Sequence, residues 1–358
     1  MIDNPLPTHG RREGYVLTPR QMRLILTMPK AENHIHIEGS ILPRTLLRLA
    51  ERNKISIPIE KEDDLQKYIL EHVHSLNTFM MCDRLFNSVC ITEQDYEEVI
   101  YDLAVDAKEQ NIIYQEYFLD YPLNEERGIP LEVVMEGYRR GQKRALEELG
   151  VDIVYLAGID RTLPREQCTA FIRNMKGYLD MVEGIGMDCE EIGNPCRDFV
   201  EAYKVAKDMG LFLTAHAGED KDVANGDKEV WDALNLLHCQ RIDHGCQAIK
   251  DPALMDYLAE NKILLTVCPS ANVGSHNVPG YLEHPVREFF KRGIPCSINS
   301  DDPPYSGDLI QQYARTLSLI GMEEDELIEM GRNAFVYSIR AQKYLPIFDE
   351  WLERWKKE

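Results

Sequence analysis

The chain has 358 residues, 44% of them hydrophobic, a formal net charge of −21 and nine scattered cysteines. That length and apolar content exclude global disorder, and the acidity argues against a nucleic-acid partner, whose backbone calls for a basic face. Thiols with no C-x-x-C pair and no zinc-finger spacing indicate a reduced, cytoplasmic protein rather than a disulfide scaffold, and no apolar run approaches the roughly 18 residues of a membrane span.

Residues 1–28 carry no hydrophobic core followed by a small-residue cleavage site, so secretion is not expected; they read as an irregular N-terminal arm leading into a short helix. Residues 29–358 read as a single domain. "AENHIHIEG" (31–39) alternates like a strand. A long helical region follows, from Leu42 to about Gln110. Its last helix opens at Thr92 and places Val99, Ile100, Leu103, Ala104 and Ala107 on one apolar face. Within this region "NTFMMCDRLF", with Phe79, Met80, Met81 and Cys82, reads as an ordinary core helix, the other reading being a lid across 76–90.

Next come the strand "IIYQEYFLD" (112–120), a helix around "LEVVMEGYRRGQKRALEEL", the strand "VDIVYLAGID" (151–160) and the helix "REQCTAFIRNMKGYLDMV". The strand "GIGMDCE" (184–190) precedes "RDFVEAYKVAKDMG", where Gly210 stops the helix. "LFLTAHAGE" (211–219), "RIDHG" (241–245), "ILLTVCP" (263–269) and "PCSINSDDP" (295–303) complete eight strands. The terminal "DEWLERWKKE" reads as an amphipathic helix packing Trp351 and Trp355 on the barrel. Strands alternating with helices imply right-handed crossovers and a parallel sheet, and eight such units imply an α/β fold of the (β/α)8 TIM-barrel type, with extra helices inserted after strand one. An open doubly wound sheet is disfavoured because no G-x-G-x-x-G follows the first strand.

In such a barrel the chemistry sits at the C-terminal ends of the strands. His34, His36 and Glu38 end strand one on a shared face. His216 and Glu219 end strand five, His244 ends strand six, and Asp301 and Asp302 end strand eight. A second H-x-H, His72 and His74, falls in polar helical sequence and reads as a solvated surface pair. A lone histidine is more often an ordinary side chain than a ligand; joint placement at four strand ends reverses that weighting. Three imidazoles and a carboxylate make a first-row metal site, with zinc the leading candidate and room for a water acidified to a pKa of about 7. Glu219 stands where a general acid or base is needed, across a turn that Gly218 permits. His244 is either a fourth nitrogen ligand or a group orienting the nucleophile. Asp302 points elsewhere around the mouth, its plainer reading being a helix N-cap before Pro303. No P-loop, G-x-S-x-G, H-E-x-x-H or H-x-E…P-C-x-x-C motif is present.

In "PKAENHIHIEGS", "TAHAGE", "RIDHG", "CPSANV", "EHP" and "NSDDP", from about Pro29 to Arg340, the chain resembles the adenosine/adenine deaminase family of metal-dependent amidohydrolases. The resemblance implies one zinc on His34, His36, His216 and Asp301, with zinc hydroxide attacking C6 of a small-molecule 6-aminopurine. It further implies that Glu219 protonates ring N1 and helps ammonia leave, that His244 polarises the hydroxide, and that Asp302 holds the nucleophile or N7. Such a mechanism needs Glu219 protonated near neutral pH, hence a pKa raised by burial.

The chain departs from the adenosine-specific pattern. Glu38 stands in place of an aspartate suited to a ribose 5′-hydroxyl, and Cys189 in "MDCEEIGNP" occupies a glycine position facing purine N3. This segment, "EYFLD" (116–120) and "NSDDPPY" (299–305) resemble the adenine deaminase branch, whereas "CPSANVGSHNVPG" (268–280) matches neither. Glu38, Asp120, Asp188, Cys189, Glu191, Gly218 and Asp302 are the expected substrate contacts. Adenine and adenosine stand close, adenine slightly ahead, with a modified adenine or an aminodeoxyfutalosine-like nucleoside as alternatives. A different mononuclear amidohydrolase and a non-catalytic metal-binding module are the rival classes. Strand four offers no bridging lysine for a second metal.

Overall fold

The computed structural model describes residues 4–8 and 11–357. Short apolar runs bounded by turns form eight parallel strands: β1 (Lys30–His36), β2 (Ile112–Leu119), β3 (Asp152–Asp160), β4 (Val182–Asp188), β5 in two halves (Phe212–Leu213 and His216–Ala217), β6 (Arg241–His244), β7 (Leu264–Val267) and β8 (Cys296–Ile298). They are buried along nearly their whole length, as strands covered on both faces are.

From β1 to the first half of β5 the strands pair in order as one parallel sheet, and the second half of β5 continues through β8 as another. The nine-residue strand expected over 211–219 is thus broken. Thr214 N–H donates to Ile185 O on β4 (3.0 Å), whereas Ala215 O accepts from Asp243 N–H on β6 (2.9 Å). At this point the backbone transfers its bonding from one neighbour to the other. A lone parallel bridge between Ile35 and Asp301 links β8 to β1. It consists of His36 N–H to Asp301 O (3.0 Å) and Asp301 N–H to His34 O (3.2 Å). The strands therefore run round as a (β/α)8 barrel with two seams, one within β5 and one between β8 and β1.

Helices α1 (Pro19–Thr27), α2 (Pro43–Asn53), α3 (Glu62–His72), α4 (Leu76–Asn87) and α5 (Glu93–Glu109) include the four inserted between β1 and β2, α2 to α5. Thr92 caps α5 through a reciprocal bond pair with Asp95, and the five expected apolar positions of that helix are buried. α4 is more than a core helix. It buries Cys82 and Phe86 on one side, while Phe79 and Met80 on the other line the cavity at the barrel mouth.

The helix expected from Arg165 to Val182 ends at Asn174 with one further 3₁₀ turn to Gly177, because Val182 already belongs to β4. The arm is not irregular where it is described: Asn4–Thr8 pairs antiparallel with Arg11–Tyr15, and α1 is its short helix. Residues 1–3, 9 and 10 of that arm lie outside the described residues. In the last helix, Leu345–Trp355, the two tryptophans stack on each other and meet α1: Trp351 Nε1–H donates to Thr27 Oγ1 (3.2 Å), and the Arg20 guanidinium lies 4.5 Å over the Trp355 ring. Among the described residues no helix is long and apolar enough to cross a membrane.

Candidate active site

Side chains two apart on a strand share a face, so β1 turns His34 and His36 together into the mouth. β5 delivers His216, and the chain leaving β8 delivers Asp301. One donor atom from each of these four buried residues lies within 4.8 Å of the others. His34 Nε2 and His36 Nε2 are 3.1 and 3.4 Å from Asp301 Oδ1, and the Nε2 atoms of His36 and His216 face each other at 3.3 Å.

Groups behind the rings decide which nitrogens point forward. The Thr266 hydroxyl donates to Asp243 Oδ1 (2.7 Å) and therefore accepts from His34 Nδ1 (3.0 Å). His36 Nδ1 donates to Asp120 Oδ2 (3.3 Å). Both rings thus carry Nδ1–H and present an Nε2 lone pair, and His34 Nε2 is buried without a hydrogen-bond partner. Converging lone pairs beside a carboxylate are what a cation satisfies, and this N₃O donor set fits a divalent first-row metal.

Asp243, absent from the sequence reading, anchors this arrangement from below. Burial would raise its pKa, but Arg241 (Nε–Oδ1 3.2 Å), His34 and the Thr214 and Thr266 hydroxyls hold it below the ordinary value. Arg241 in turn pairs with buried Glu116. A buried ion pair of this kind fixes geometry more than it adds stability.

The turn after β5 carries Glu219. Gly218 adopts φ +65°, and a Cβ there would meet Gly226 O and Val230 Cγ2 at 2.8 Å each. Gly218→Ala is expected to destabilise the fold by about 1–3 kcal/mol, read as a lower urea midpoint at unchanged slope. Glu191, expected to touch substrate, borders the cavity and also holds this turn. Its Oε1 accepts from Gly218 N–H (2.7 Å) and its Oε2 from Glu219 and Asp220 N–H (3.1 and 3.0 Å). Arg161 adds a bond from Nη1 to His216 O (2.9 Å).

The Glu219 side chain keeps 23% of its surface exposed and stands 3.6 Å from His244 Nε2. Burial raises its pKa. Asp301 behaves in the opposite way: burial opposes its charge, but His34, His244 and His36 hold its pKa well below the ordinary carboxylate range.

Three non-glycine residues at strand ends sit in the left-handed region: Cys189 (φ +68°), His244 (φ +60°) and Asp301 (φ +66°). Such conformations cost on the order of 1–3 kcal/mol each and cluster at functional sites. Asp302 stands at the N-cap position before Pro303, but its side chain makes no capping bond. Its Oδ1 is buried without a partner and packs over Gly39, where a Cβ would lie 1.7 Å away. Burial, then neighbouring Asp301, push its pKa well up.

The mouth encloses a cavity of about 430 Å³. Glu38 accepts from the Tyr138 hydroxyl (3.3 Å) and leaves Oε2 without a partner; burial and Asp120 raise its pKa to about 8. Asp120 both borders the cavity and orients His36; Gly158 makes room for it, since a Cβ there would fall 2.0 Å from Asp120 Oδ1. Asp188 lies 3.8 Å from His36 Nδ1 with neither oxygen bonded, and Cys189 borders the cavity beside it. His72 and His74 are both exposed, His74 at the cavity rim.

The family described as adenosine deaminase matches residues 29–347. The chain belongs to the adenosine deaminase family. A Psychrobacter cryohalolentis protein described as adenine deaminase is 33% identical over 91% of this chain and 98% of its own length. The crystal structure of adenine deaminase from Arthrobacter aurescens superposes with a TM-score of 0.86 at 27% identity, covering 93% of this chain and 100% of that one. An amidohydrolase from Burkholderia ambifaria, solved with bound zinc, shares the fold at TM-score 0.84 and 24% identity over 97% and 98% of the two chains. Family membership makes this protein a hydrolytic deaminase.

For a member of the adenosine deaminase family, several supporting residues escaped the sequence reading. Phe118 stacks on the His36 ring (centroids 4.8 Å apart, 23°), and Gly186 leaves the space for it. Asp83 accepts from the Tyr305 hydroxyl (2.7 Å) beneath α4. Asn272 and His284 stand behind His244; both lie inside "CPSANV" and "EHP", the signal that could have found them.

Proposed function

We propose that this protein hydrolyses the free base adenine to hypoxanthine and ammonia, with one zinc ion on His34, His36, His216 and Asp301. The observation that carries the reading is the meeting of those four donor atoms within 4.8 Å, with Glu219 and His244 poised beside them at 3.6 Å from each other. When bound, zinc supplies the Lewis acidity that makes a hydrolytic water ionise near neutral pH. Glu219, whose pKa burial raises, gives its proton to purine N1, which turns C6 into a better electrophile. His244 Nε2, 3.6 Å from Glu219 Oε2 and 3.9 Å from Asp301 Oδ2, orients the attacking oxygen. Asp302 accepts a hydrogen bond from the nucleophile or the purine.

Charge and shape support a base over larger substrates. Among the described residues lining the cavity the one lysine or arginine is Lys221, and Asp222 already pairs with it at 2.5 Å. Glu38, Asp83, Asp120, Asp160 and Asp188 face the same space. A nucleotide phosphate would find no free cation there. By its resemblance to the family pattern, Glu38 also reaches further than the aspartate that meets a ribose. The close relatives described as adenine deaminases lean the same way.

Release of the amine (ammonia, or methylamine from N6-methyladenine) and the purine ultraviolet change, followed with adenine, adenosine, AMP, N6-methyladenine and aminodeoxyfutalosine, test the proposal. Adenine is expected to lead in kcat/KM by about 100-fold or more over adenosine, the scale reached when a site built for one polar pattern rejects another. Preference for adenosine would refute the free-base reading; amine release from none of the five would refute 6-aminopurine deamination.

A further inference from the structure

Behind His244 runs a chain of buried hydrogen bonds that ends on the backbone. Val286 N–H donates to His284 Nδ1 (3.2 Å). A backbone N–H only donates, so His284 Nδ1 carries a lone pair. Burial, with His244 nearby, lowers the His284 pKa to about 3, so the ring is neutral and its proton sits on Nε2. That Nε2–H faces Asn272 Oδ1 at 3.3 Å. The amide is thereby turned so that its Nδ2–H₂ points at His244 Nδ1, 3.0 Å away. An amide nitrogen only donates, so His244 Nδ1 is an acceptor. All three side chains are at most 3% exposed, and none of their polar atoms is orphaned.

We propose that His284 and Asn272 are positioning residues that lock His244 as the Nε2–H tautomer, so that it meets the reacting oxygen as a hydrogen-bond donor and not as a proton acceptor. The direction of every bond is set from the Val286 amide, a donor that cannot change role. The strained φ of +60° at His244 aims the ring, and the relay decides what its forward nitrogen offers. The proposal rests on His244 orienting the nucleophile, but the tautomer itself can be read without turnover.

The test is nitrogen-detected NMR of the full-length, zinc-loaded protein labelled with ¹⁵N-histidine, His244 being assigned by loss of its signals in His244→Gln. The expected pattern is a protonated Nε2 and an unprotonated Nδ1 on His244, in the zinc-loaded and in the chelated protein alike. A protonated Nδ1 in both overturns the proposal. A protonated Nδ1 in the zinc-loaded protein alone means that His244 has joined the metal, which overturns the proposed site as well.

Variants add a kinetic readout. His284→Leu is expected to lower kcat about 10–100-fold, the scale of outer-shell losses, with KM, zinc content and melting temperature close to wild type. His284→Gln, whose amide still donates to Asn272 Oδ1, is expected to recover most of that loss. Asn272→Asp keeps the volume but only accepts, which forces the proton onto His244 Nδ1; it is expected to lose at least as much kcat as Asn272→Ala. Wild-type kcat in Asn272→Asp, or equal kcat in His284→Leu and His284→Gln, would overturn the relay.

Discussion

Glu219→Gln is expected to keep its full complement of metal and lose turnover by roughly 10²–10⁴-fold, the usual worth of a positioned general acid. The side chain is no member of the converging donor set, so metal analysis separates this loss from an empty site. Glutamine preserves volume and the contact with Asn277 Nδ2, which reaches Glu219 Oε1 at 3.3 Å, but cannot release a proton to N1. The pH dependence follows with a definite sign. Burial raises the Glu219 pKa, and the active form is the protonated one. Wild-type kcat should therefore hold on the acid side of that pKa and fall as pH rises through it, and the residual rate of Glu219→Gln should lack that alkaline limb. Normal turnover in the variant would remove Glu219 from the mechanism.

His216→Ala is expected to purify with far less than one metal per chain and with no turnover above background. It removes one of four donors and leaves the His36 Nε2 lone pair facing a void. Chelation of the wild-type protein should also destabilise it: where free metal stands 1,000-fold above its Kd, mass action alone contributes about 4 kcal/mol to the folded state. Metal affinity should weaken in acid. Burial disfavours a charged His36, yet Asp120, Asp302 and Asp301 around it push its pKa well up, so as pH falls a proton competes with the ion for the Nε2 lone pair. His34, lowered to about 4 by burial, imposes no such competition at neutral pH. Metal content and affinity at three pH values check both statements; a fully loaded His216→Ala would show that the ion sits elsewhere.

Strand ends were legible because period-2 alternation and turn residues are local signals, and the barrel rule then says where polar residues converge. Thr92 as a cap was legible for the same reason. The break in β5 was not: Thr214 and Ala215 have nothing unusual in their chemistry, and only the separation of β4 from β6 makes the backbone change partners. Cys189, His244 and Asp301 lie in the left-handed region without being glycine or asparagine, so no residue type announced them. The turn-holding role of Glu191 was not legible because a carboxylate near a strand end looks the same in sequence whether or not it gathers three backbone amides. Asn272 and His284 lie 28 and 40 residues beyond His244, and nothing short of the folded chain brings the three into line.

The two seams have a consequence for how the site and the scaffold depend on each other. One seam is the split in β5 next to His216; the other is the lone bridge beside which His34, His36 and Asp301 all sit. An ion held by these four would rivet one arc of the wall to the other at the very places where the backbone is least continuous. Catalytic centre and mechanical joint would then be one object, and a vacant centre would leave a barrel freer to hinge open like a clasp.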